Sequence, residues 1–467
     1  MKFSDINFSR FEPAVSALER LRSYFSEKDA GYYIKTFGCQ MNVRDSENLA
    51  GMLENMGLVR RKSAREADVV LVNTCCVREH AEVKVYGNVG SYCKMKREGK
   101  NMLIGVCGCM MQQKHMADEM RRRFPGVDFY MGTNMLHELP EIMLEALESG
   151  RRQERIKGPT GPVVEGLPAS GRRGPSAFVN IMYGCDNFCS YCVVPLVRGR
   201  ERSRAPGAIL DEIASLADQG CVEITLLGQN VNSYGKGLPD KISFAGLLRQ
   251  VDRIPGIRRI RFMTSHPKDL SEELMDAMAG CEHVCAHLHL PVQSGSNAVL
   301  AAMNRGYTRE HYLELVTRLR QKMPQIDLTT DIIVGFPGES DTDYEDTKSL
   351  LQQVRYDSAF LFRYSVRRGT AAEKMAETVP EESKTQRLYA LIAEQEAITA
   401  QRGACHVGKN EEVLVESVSA RDPGEVSGRA NGSWTVNLRG DKGLIGRIVP
   451  VRIIEAKAHT LYGEIVQ

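Results

Sequence analysis

AFVNIMYGCDNFCSYC, residues 177–192, begins as an apolar, β-favouring run and ends in three cysteines spaced C-x3-C-x2-C, at Cys185, Cys189 and Cys192. A strand that delivers its reactive side chains into the loop at its carboxyl end is the arrangement of parallel α/β architectures, where chemistry collects at strand C-termini. Toward the C-terminus five more such runs follow: VEITLLGQ from Val222, RRIRFMTS from Arg258, HVCAHLHLPV from His283, IDLTTDIIVGF from Ile326 and SAFLFRYSV from Ser358. Helical patterns such as AILDEIASLADQG, SEELMDAMAG and REHYLELVTRLRQK separate them. Six β-α units over residues 176–403 predict a partial (β/α) barrel.

Upstream, residues 31–150 alternate short apolar runs (YYIKTF, DVVLVN, MLIGV, VDFYMG) with amphipathic stretches such as RDSENLAGMLENMG and QQKHMADEMRRRF. This pattern predicts an N-terminal α/β domain around a parallel sheet. Cysteines follow each of its first three strands: Cys39 in FGCQMN, Cys75 and Cys76 in NTCCV, Cys107 and Cys109 in VCGCM. Only the fold can bring them together. Residues 1–30 read as an N-terminal extension. Residues 151–175, RRQERIKGPTGPVVEGLPASGRRGP, read as a linker whose arginines can also touch phosphate. Residues 404–467 lose helical periodicity, and EEVLVESV, SWTVNL, GRIVPVRIIEA and LYGEIV predict a small antiparallel β-barrel. The whole is an α/β multidomain chain.

The bulk numbers bound its class. A length of 467 residues calls for about two to four domains. With 42% hydrophobic and 26% charged residues and no apolar run near the roughly 20 residues of a membrane span, a membrane role is not expected. The first thirty residues spread charges among apolar positions, unlike a signal peptide, so a cytoplasmic location is expected. Thirteen cysteines in a reducing compartment point to metal or cluster ligation rather than disulfides. A net charge of +2 excludes a strongly basic nucleic-acid protein overall, while local patches can still bind phosphate.

Three thiolates at C-x3-C-x2-C can ligate three irons of a 4Fe-4S cluster, leaving the fourth iron open to the amino and carboxylate groups of S-adenosylmethionine (SAM). Electron transfer into that SAM yields a 5'-deoxyadenosyl radical. Three buried core cysteines or a zinc knuckle are the competing readings, and zinc asks for a fourth ligand at matched spacing. Around the barrel mouth, Tyr191 sits where its ring can meet the SAM adenine. Gln229 and Asn230, Gln293 and Ser294, and Asp331 can hydrogen-bond SAM, or simply satisfy buried backbone. In RGRERSR, Arg198, Arg200, Arg202 and Arg204 can grip phosphates or the SAM carboxylate, or form a solvated loop. GCEHVCAHLHL offers a weaker zinc reading through Cys281, His283, Cys285, His287 and His289, although His287 and His289 on one strand face need no metal to explain them.

The motifs TFGCQMN, VNTCCVRE, GCMMQ, GCDNFCSYCVVPLVRGRERSR, LGQNVNSYG, HLPVQSGS and TDIIVGFPGES, in this order, resemble the radical-SAM methylthiotransferases, most closely the MiaB branch of tRNA 2-methylthio-N6-isopentenyladenosine synthases. The resemblance runs from about Tyr32 to the C-terminus. It implies that the six-unit segment is a radical-SAM barrel and that a second 4Fe-4S cluster is held by Cys39, Cys75 and Cys109. Local physics leaves Cys75 against Cys76 and Cys109 against Cys107 open, and the family motif makes that choice. It further implies two roles for SAM, as methyl donor to sulfur on the auxiliary cluster and as source of the radical that abstracts hydrogen from carbon 2 of adenine. The partners implied are a tRNA anticodon stem-loop carrying isopentenyladenosine, an electron donor of flavodoxin or ferredoxin type and a sulfur source. The C-terminal segment resembles the TRAM domain, an RNA-binding barrel, with Arg429, Lys442 and Arg447 as phosphate contacts; Ala430 stands where a polar residue is usual.

Relatives with the same two-cluster chemistry methylthiolate N6-threonylcarbamoyladenosine in tRNA or an aspartate of a ribosomal protein. A non-enzymatic RNA-binding metalloprotein is the reading from a different class, and it predicts zinc or clusters that never cleave SAM.

Overall fold

The computed structural model describes residues 8–10, 15–26, 28–76, 79–170, 174–420 and 422–466. Val77 and Arg78 of the VNTCCVRE motif and Arg172 and Arg173 of the linker lie outside these. Among the described residues no helix is long and apolar enough to cross a membrane.

The N-terminal sheet has six parallel strands in the spatial order Val59–Arg60, Gly31–Thr36, Val69–Thr74, Leu103–Gly108, Phe129–Met131, Gln153–Arg155. Its central strands are apolar throughout because helices cover both faces. Val69 and Leu71 pack with the helices Val15–Ser26 and Leu139–Ser149, while Val70 and Val72 pack with Glu79–Arg97 and Lys114–Arg123. Two boundaries differ from the sequence reading. The helix Val15–Ser26 lies in the supposed extension, yet it buries Leu21 and Phe25 in this core. The strand Gln153–Arg155 lies in the supposed linker and forms the sheet edge. Edge strands tolerate charge and carry little apolar signal, which hid it.

In the barrel, Ser176–Asn180, Glu223–Leu227 and Arg259–Phe262 are parallel neighbours, as are His287–His289, Asp327–Val334 and Ser358–Arg363. A parallel bridge between Ile260 and Val284 joins the two triplets. The six strands therefore run in chain order, with their carboxyl ends at one mouth. Ser243, Ser271, Ser296, Thr308 and Ser340 cap the helices behind the strands, each hydroxyl taking a first-turn N–H.

The C-terminal barrel closes in the order Asn410–Val418, Glu425–Arg429, Thr435–Arg439, Thr460–Ile465, Ile448–Ala456. It is not wholly antiparallel: Thr435–Arg439 and Thr460–Ile465 pair parallel. A closed ring with an odd number of strands requires at least one such seam. The long helix Glu381–Ala404 leads into this barrel, with Gln395 and Thr399 bonding the carbonyls of Tyr356 and Asp357 at 2.9 and 3.0 Å.

One buried ion cluster fastens the C-terminal barrel to the central one. Glu223, fully buried, accepts from Arg261 Nε at 2.8 Å and from Arg429 Nη2 at 2.7 Å, and Arg261 also donates to the carbonyls of Ala430 and Gly432. Burial alone pushes the Glu223 carboxyl up, but Arg261 and Arg429 outweigh it and hold it below its ordinary value. A depressed carboxylate contributes stability that is complete above the ordinary pKa, about 4.5. That contribution is lost as pH falls through the depressed value. Replacing Glu223 with Ala leaves the buried Arg261 guanidinium without its carboxylate, while Arg429 keeps Glu416, and we expect a loss of about 3 kcal/mol. Thermal unfolding and limited proteolysis near residue 405 measure it.

Candidate active site

The strand Ser176–Asn180 leads through the short pair Met182–Tyr183 and Arg202–Ser203 into the loop that bears Cys185, Cys189 and Cys192. Gly184, at φ +74°, begins it, and any β-carbon there would meet the Arg200 carbonyl at 2.1 Å. The loop closes with Cys185 N donating to Gly199 O at 3.1 Å. A second segment, Ala302 to Arg305, clamps it. Ser190 Oγ donates to Ala302 O at 2.8 Å, Ser190 N to Met303 O at 3.0 Å, and Asn304 Nδ2 to Phe188 O at 3.0 Å. Arg305 is buried and donates from Nη1 to Cys189 Sγ at 3.3 Å, while its Nη2 holds the Pro291 carbonyl at 2.8 Å. Burial pushes the Cys185 thiol up to about 11 and the Cys192 thiol up to about 12. Such thiols give up their protons to a metal rather than to water.

Among the described residues, no group of three Cys, His, Asp or Glu side chains is placed to hold a metal ion. An iron-sulfur cluster asks for a different arrangement from a single ion, because each thiolate takes a different iron. Three cysteines on one ten-residue loop, held by backbone rather than by each other, fit that donor set.

The polar residues expected at the mouth are there, with different surroundings. Asn230 is buried and donates to Asp269 Oδ2 at 2.8 Å; its Oδ1 has no partner within the chain, nor does Gln229 Oε1. The Gln229 amide nitrogen contacts Met41 Sδ of the N-terminal domain. His266 adds another unpartnered atom, Nε2, and burial pushes its pKa down to about 2, so the ring is neutral. These orphaned atoms at the carboxyl ends of the second and third strands fit a polar ligand such as SAM. Tyr191 packs edge-on against Phe336 at 6.5 Å, and Gln293, at φ +71°, is held through its backbone by Asp331 and Ile333. The Asp331 carboxylate lies 3.6 Å from His289 Nε2. Ser294 departs from expectation: its hydroxyl is fully buried, bonded to Thr347 Oγ1 at 3.2 Å and to Ser296 N at 3.2 Å, where it braces the next helix cap.

In the N-terminal domain, Cys39 stands at the N-cap position of the helix Gln40–Asn55 with its side chain free of any capping bond, and Cys75 and Cys109 follow the strands Val69–Thr74 and Leu103–Gly108. Gly38, at φ +109°, lies against Cys75, so that a β-carbon there would sit 2.8 Å from its sulfur. Asn42 gathers the three loops. Its Nδ2 donates to Phe37 O at 2.7 Å and to Thr74 O at 2.9 Å, and its Oδ1 is 4.0 Å from Cys109 Sγ. Cys76 packs in the apolar cluster with Val85 and Val89, and its proximity to Cys109 pushes the Cys76 thiol up and the Cys109 thiol down. Cys107 turns to the opposite sheet face, among Leu139 and Met143, and complete burial drives its thiol pKa up.

The RGRERSR arginines are mostly not phosphate ligands. Arg198 is buried against Asp45 at 2.8 Å, Arg204 against Glu165 at 2.6 Å and Glu212 at 2.7 Å, and Arg202 is bonded to the carbonyls of Arg198, Arg200 and Gly161. Each guanidinium is spent on the fold. Arg200 alone of the four is substantially exposed, paired to Asp186 and lying over the Phe188 ring at 4.9 Å. Arg429 is likewise engaged by Glu223 and Glu416, whereas Lys442 and Arg447 are exposed. In GCEHVCAHLHL, His287 and His289 both bond Thr329 Oγ1, at 2.9 and 3.0 Å, and His283 bonds Asp252 at 3.1 Å. His287 and His289 thus share one hydroxyl while His283 turns to another element, and among the described residues no three such groups converge to hold a metal ion.

A cavity of about 240 Å³ is shared by all three domains. Gln40, beside Cys39, borders it from the N-terminal domain, Met263, Thr329 and Phe360 from the central barrel, and Trp434 and His459 from the C-terminal one.

Comparison with known proteins finds matches to three stretches of the chain. The profile of the radical SAM superfamily matches residues 179–351, that described as uncharacterized protein family UPF0004 matches residues 31–132, and that of the TRAM domain matches residues 406–466. The fold is similar to the radical S-adenosylmethionine methyltransferase TsrM from Kitasatospora setae, with a TM-score of 0.54 at 17% identity over 72% of this chain and 73% of that one. The fold and the cysteine loop thus define a radical SAM protein. A tRNA-2-methylthio-N(6)-dimethylallyladenosine synthase from Alkaliphilus oremlandii is 49% identical over 96% of each chain. One from Caldicellulosiruptor saccharolyticus is 48% identical over 99% of this chain and 98% of its own. The chain belongs to the family of tRNA-2-methylthio-N(6)-dimethylallyladenosine synthases.

Proposed function

We infer that this chain methylthiolates carbon 2 of N6-isopentenyladenosine beside the anticodon of tRNA. The observation that carries this reading is that Arg198, on the helix that follows Cys192, donates to Asn42, whose Oδ1 stands beside Cys109 at the end of the N-terminal sheet. That arrangement suits a reaction whose radical source and sulfur source must meet at one substrate carbon.

In this reading Cys185, Cys189 and Cys192 hold one 4Fe-4S cluster, and Cys39, Cys75 and Cys109 hold the second. SAM bound to the first supplies a carbon-centred radical, and SAM in its other role supplies a methyl group. Gln229, Asn230 and His266 offer unpartnered polar atoms to SAM, with Tyr191 and Phe336 as the apolar wall for its adenine and Gln293 and Asp331 across the mouth. Arg305 fixes Cys189 in place. The shared cavity, with Phe360 and Met263 on its wall, receives the target base; Lys442 and Arg447 at the C-terminal barrel meet phosphate. Anticodon loops present splayed bases, which suits a buried site. An electron donor of flavodoxin or ferredoxin type and a sulfur source complete the cycle in the cytosol.

Nucleoside mass spectrometry of tRNA from a strain lacking the gene tests the reading. The 2-methylthio derivative of isopentenyladenosine should vanish and isopentenyladenosine accumulate. An unchanged nucleoside profile overturns it, and loss of the methylthiolated threonylcarbamoyl nucleoside or of the modified ribosomal aspartate reassigns the substrate.

A further inference from the structure

Arg198 ends the short helix Val194–Arg198 that leaves Cys192, yet its side chain lies in the other cysteine site. The residue is only 6% exposed, and its Nη2 donates to Asn42 Oδ1 at 2.7 Å and to Asp45 Oδ2 at 2.8 Å. Asn42 Oδ1 is the same atom that stands 4.0 Å from Cys109 Sγ. Asn42 is fixed from two further directions, by the carbonyls of Phe37 and Thr74, which flank Cys39 and Cys75, and its own carbonyl accepts from Asn73 at 2.9 Å. One guanidinium therefore sits at the point where all three loops of the N-terminal trio converge, anchored on a residue adjoining the other trio.

Docking two domains does not require this. A buried Arg–Asp pair loses solvation that its mutual attraction only partly returns, and apolar side chains of similar size hold an interface at least as well. What a guanidinium adds is a permanent positive charge and directed donors beside sulfur ligands. Charge and hydrogen bonds near the sulfurs are among the main determinants of iron-sulfur reduction potentials. A positive group favours the reduced, more negative cluster, and a carboxylate opposes it.

We propose that Arg198, held by Asn42 and Asp45, is a positioning residue that sets the reduction potential of the auxiliary cluster. The proposal rests on the assignment of that cluster to Cys39, Cys75 and Cys109. Arg198 raises the potential and Asp45 moderates the effect, so the two residues act in opposite directions on one quantity.

The test uses the full-length chain with Cys185, Cys189 and Cys192 replaced by Ala, so that only the auxiliary cluster remains, reconstituted anaerobically with iron and sulfide. Its midpoint potential is followed by electron paramagnetic resonance during titration with dithionite. Arg198→Gln should lower the midpoint, Asp45→Asn should raise it, and Arg198→Lys, which keeps the charge but loses the planar fork, should fall between Arg198→Gln and the parent. Shifts of the same sign, or none, in Arg198→Gln and Asp45→Asn overturn the proposal, because a purely structural clamp has no reason to produce opposite signs. If Arg198→Gln fails to hold the cluster, the signs for Arg198→Lys and Asp45→Asn decide. A parent that binds no cluster at all refutes the underlying assignment instead.

Discussion

Alanine at Cys185, Cys189 and Cys192 together should give a folded protein that keeps about half of its iron, roughly four of eight atoms for two 4Fe-4S clusters, and forms no 5'-deoxyadenosine. The fold should survive because the loop is held by its backbone: Cys185 N to Gly199 O, Ser190 to Ala302 and Met303, and Phe188 to Asn304 all persist without sulfur. The chemistry should not survive, since no other described Cys, His, Asp or Glu group at the mouth is placed to take over as a metal site. Iron and sulfide analysis with chromatography of the SAM products measures both halves. Methylthiolated product from this variant would remove the radical from the mechanism.

Alanine at Cys39, Cys75 and Cys109 should separate the same quantities in the opposite way. About half of the iron again remains, SAM is still cleaved to 5'-deoxyadenosine, and methylthiolated nucleoside falls to background. Cys75 and Cys109 are buried, so each substitution leaves a small cavity costing on the order of 1 kcal/mol, too little to unfold a domain of this size. Cys76→Ala and Cys107→Ala serve as neighbours with a different expectation. Cys107 faces the other side of the sheet and Cys76 lies beside Cys109 without belonging to the assigned trio, so both variants should retain the full iron content. Loss of a cluster in Cys107→Ala, with the trio intact, would redraw the ligand set.

Much of this was legible in the chain because its signals are local. The C-x3-C-x2-C loop needs only ten residues, and the six apolar runs of the barrel announce themselves by spacing. The N-terminal cysteines are long-range, and their order after successive strands is the only local hint; the fold separates Cys107, on the other sheet face, from Cys109, while Cys76 shares the face of Cys109 and the choice of Cys75 rests on the family resemblance. Arg198, Arg202 and Arg204 illustrate the reverse error. A run of charge looks solvated on paper, whereas three of its four guanidinium groups are consumed by Asp45, Glu165, Glu212 and main-chain carbonyls. Ser294 misled for the same reason, since a polar residue after a barrel strand looks alike whether it meets a ligand or braces a helix cap. Arg305 and His266 carried no motif signal at all. Their roles depend on contacts with Cys189 and Tyr307 that only the folded chain creates.

The most direct measurement combines anaerobically reconstituted protein, SAM, a reductant and an anticodon stem-loop RNA containing isopentenyladenosine, followed by mass spectrometry of the digested RNA and of the SAM products. The 2-methylthio nucleoside should appear together with 5'-deoxyadenosine and S-adenosylhomocysteine, and only when both cysteine trios are intact. A protein that carries both clusters and cleaves SAM yet leaves this RNA unmodified, or one that forms the nucleoside without the N-terminal trio, would contradict the proposed two-cluster methylthiolation.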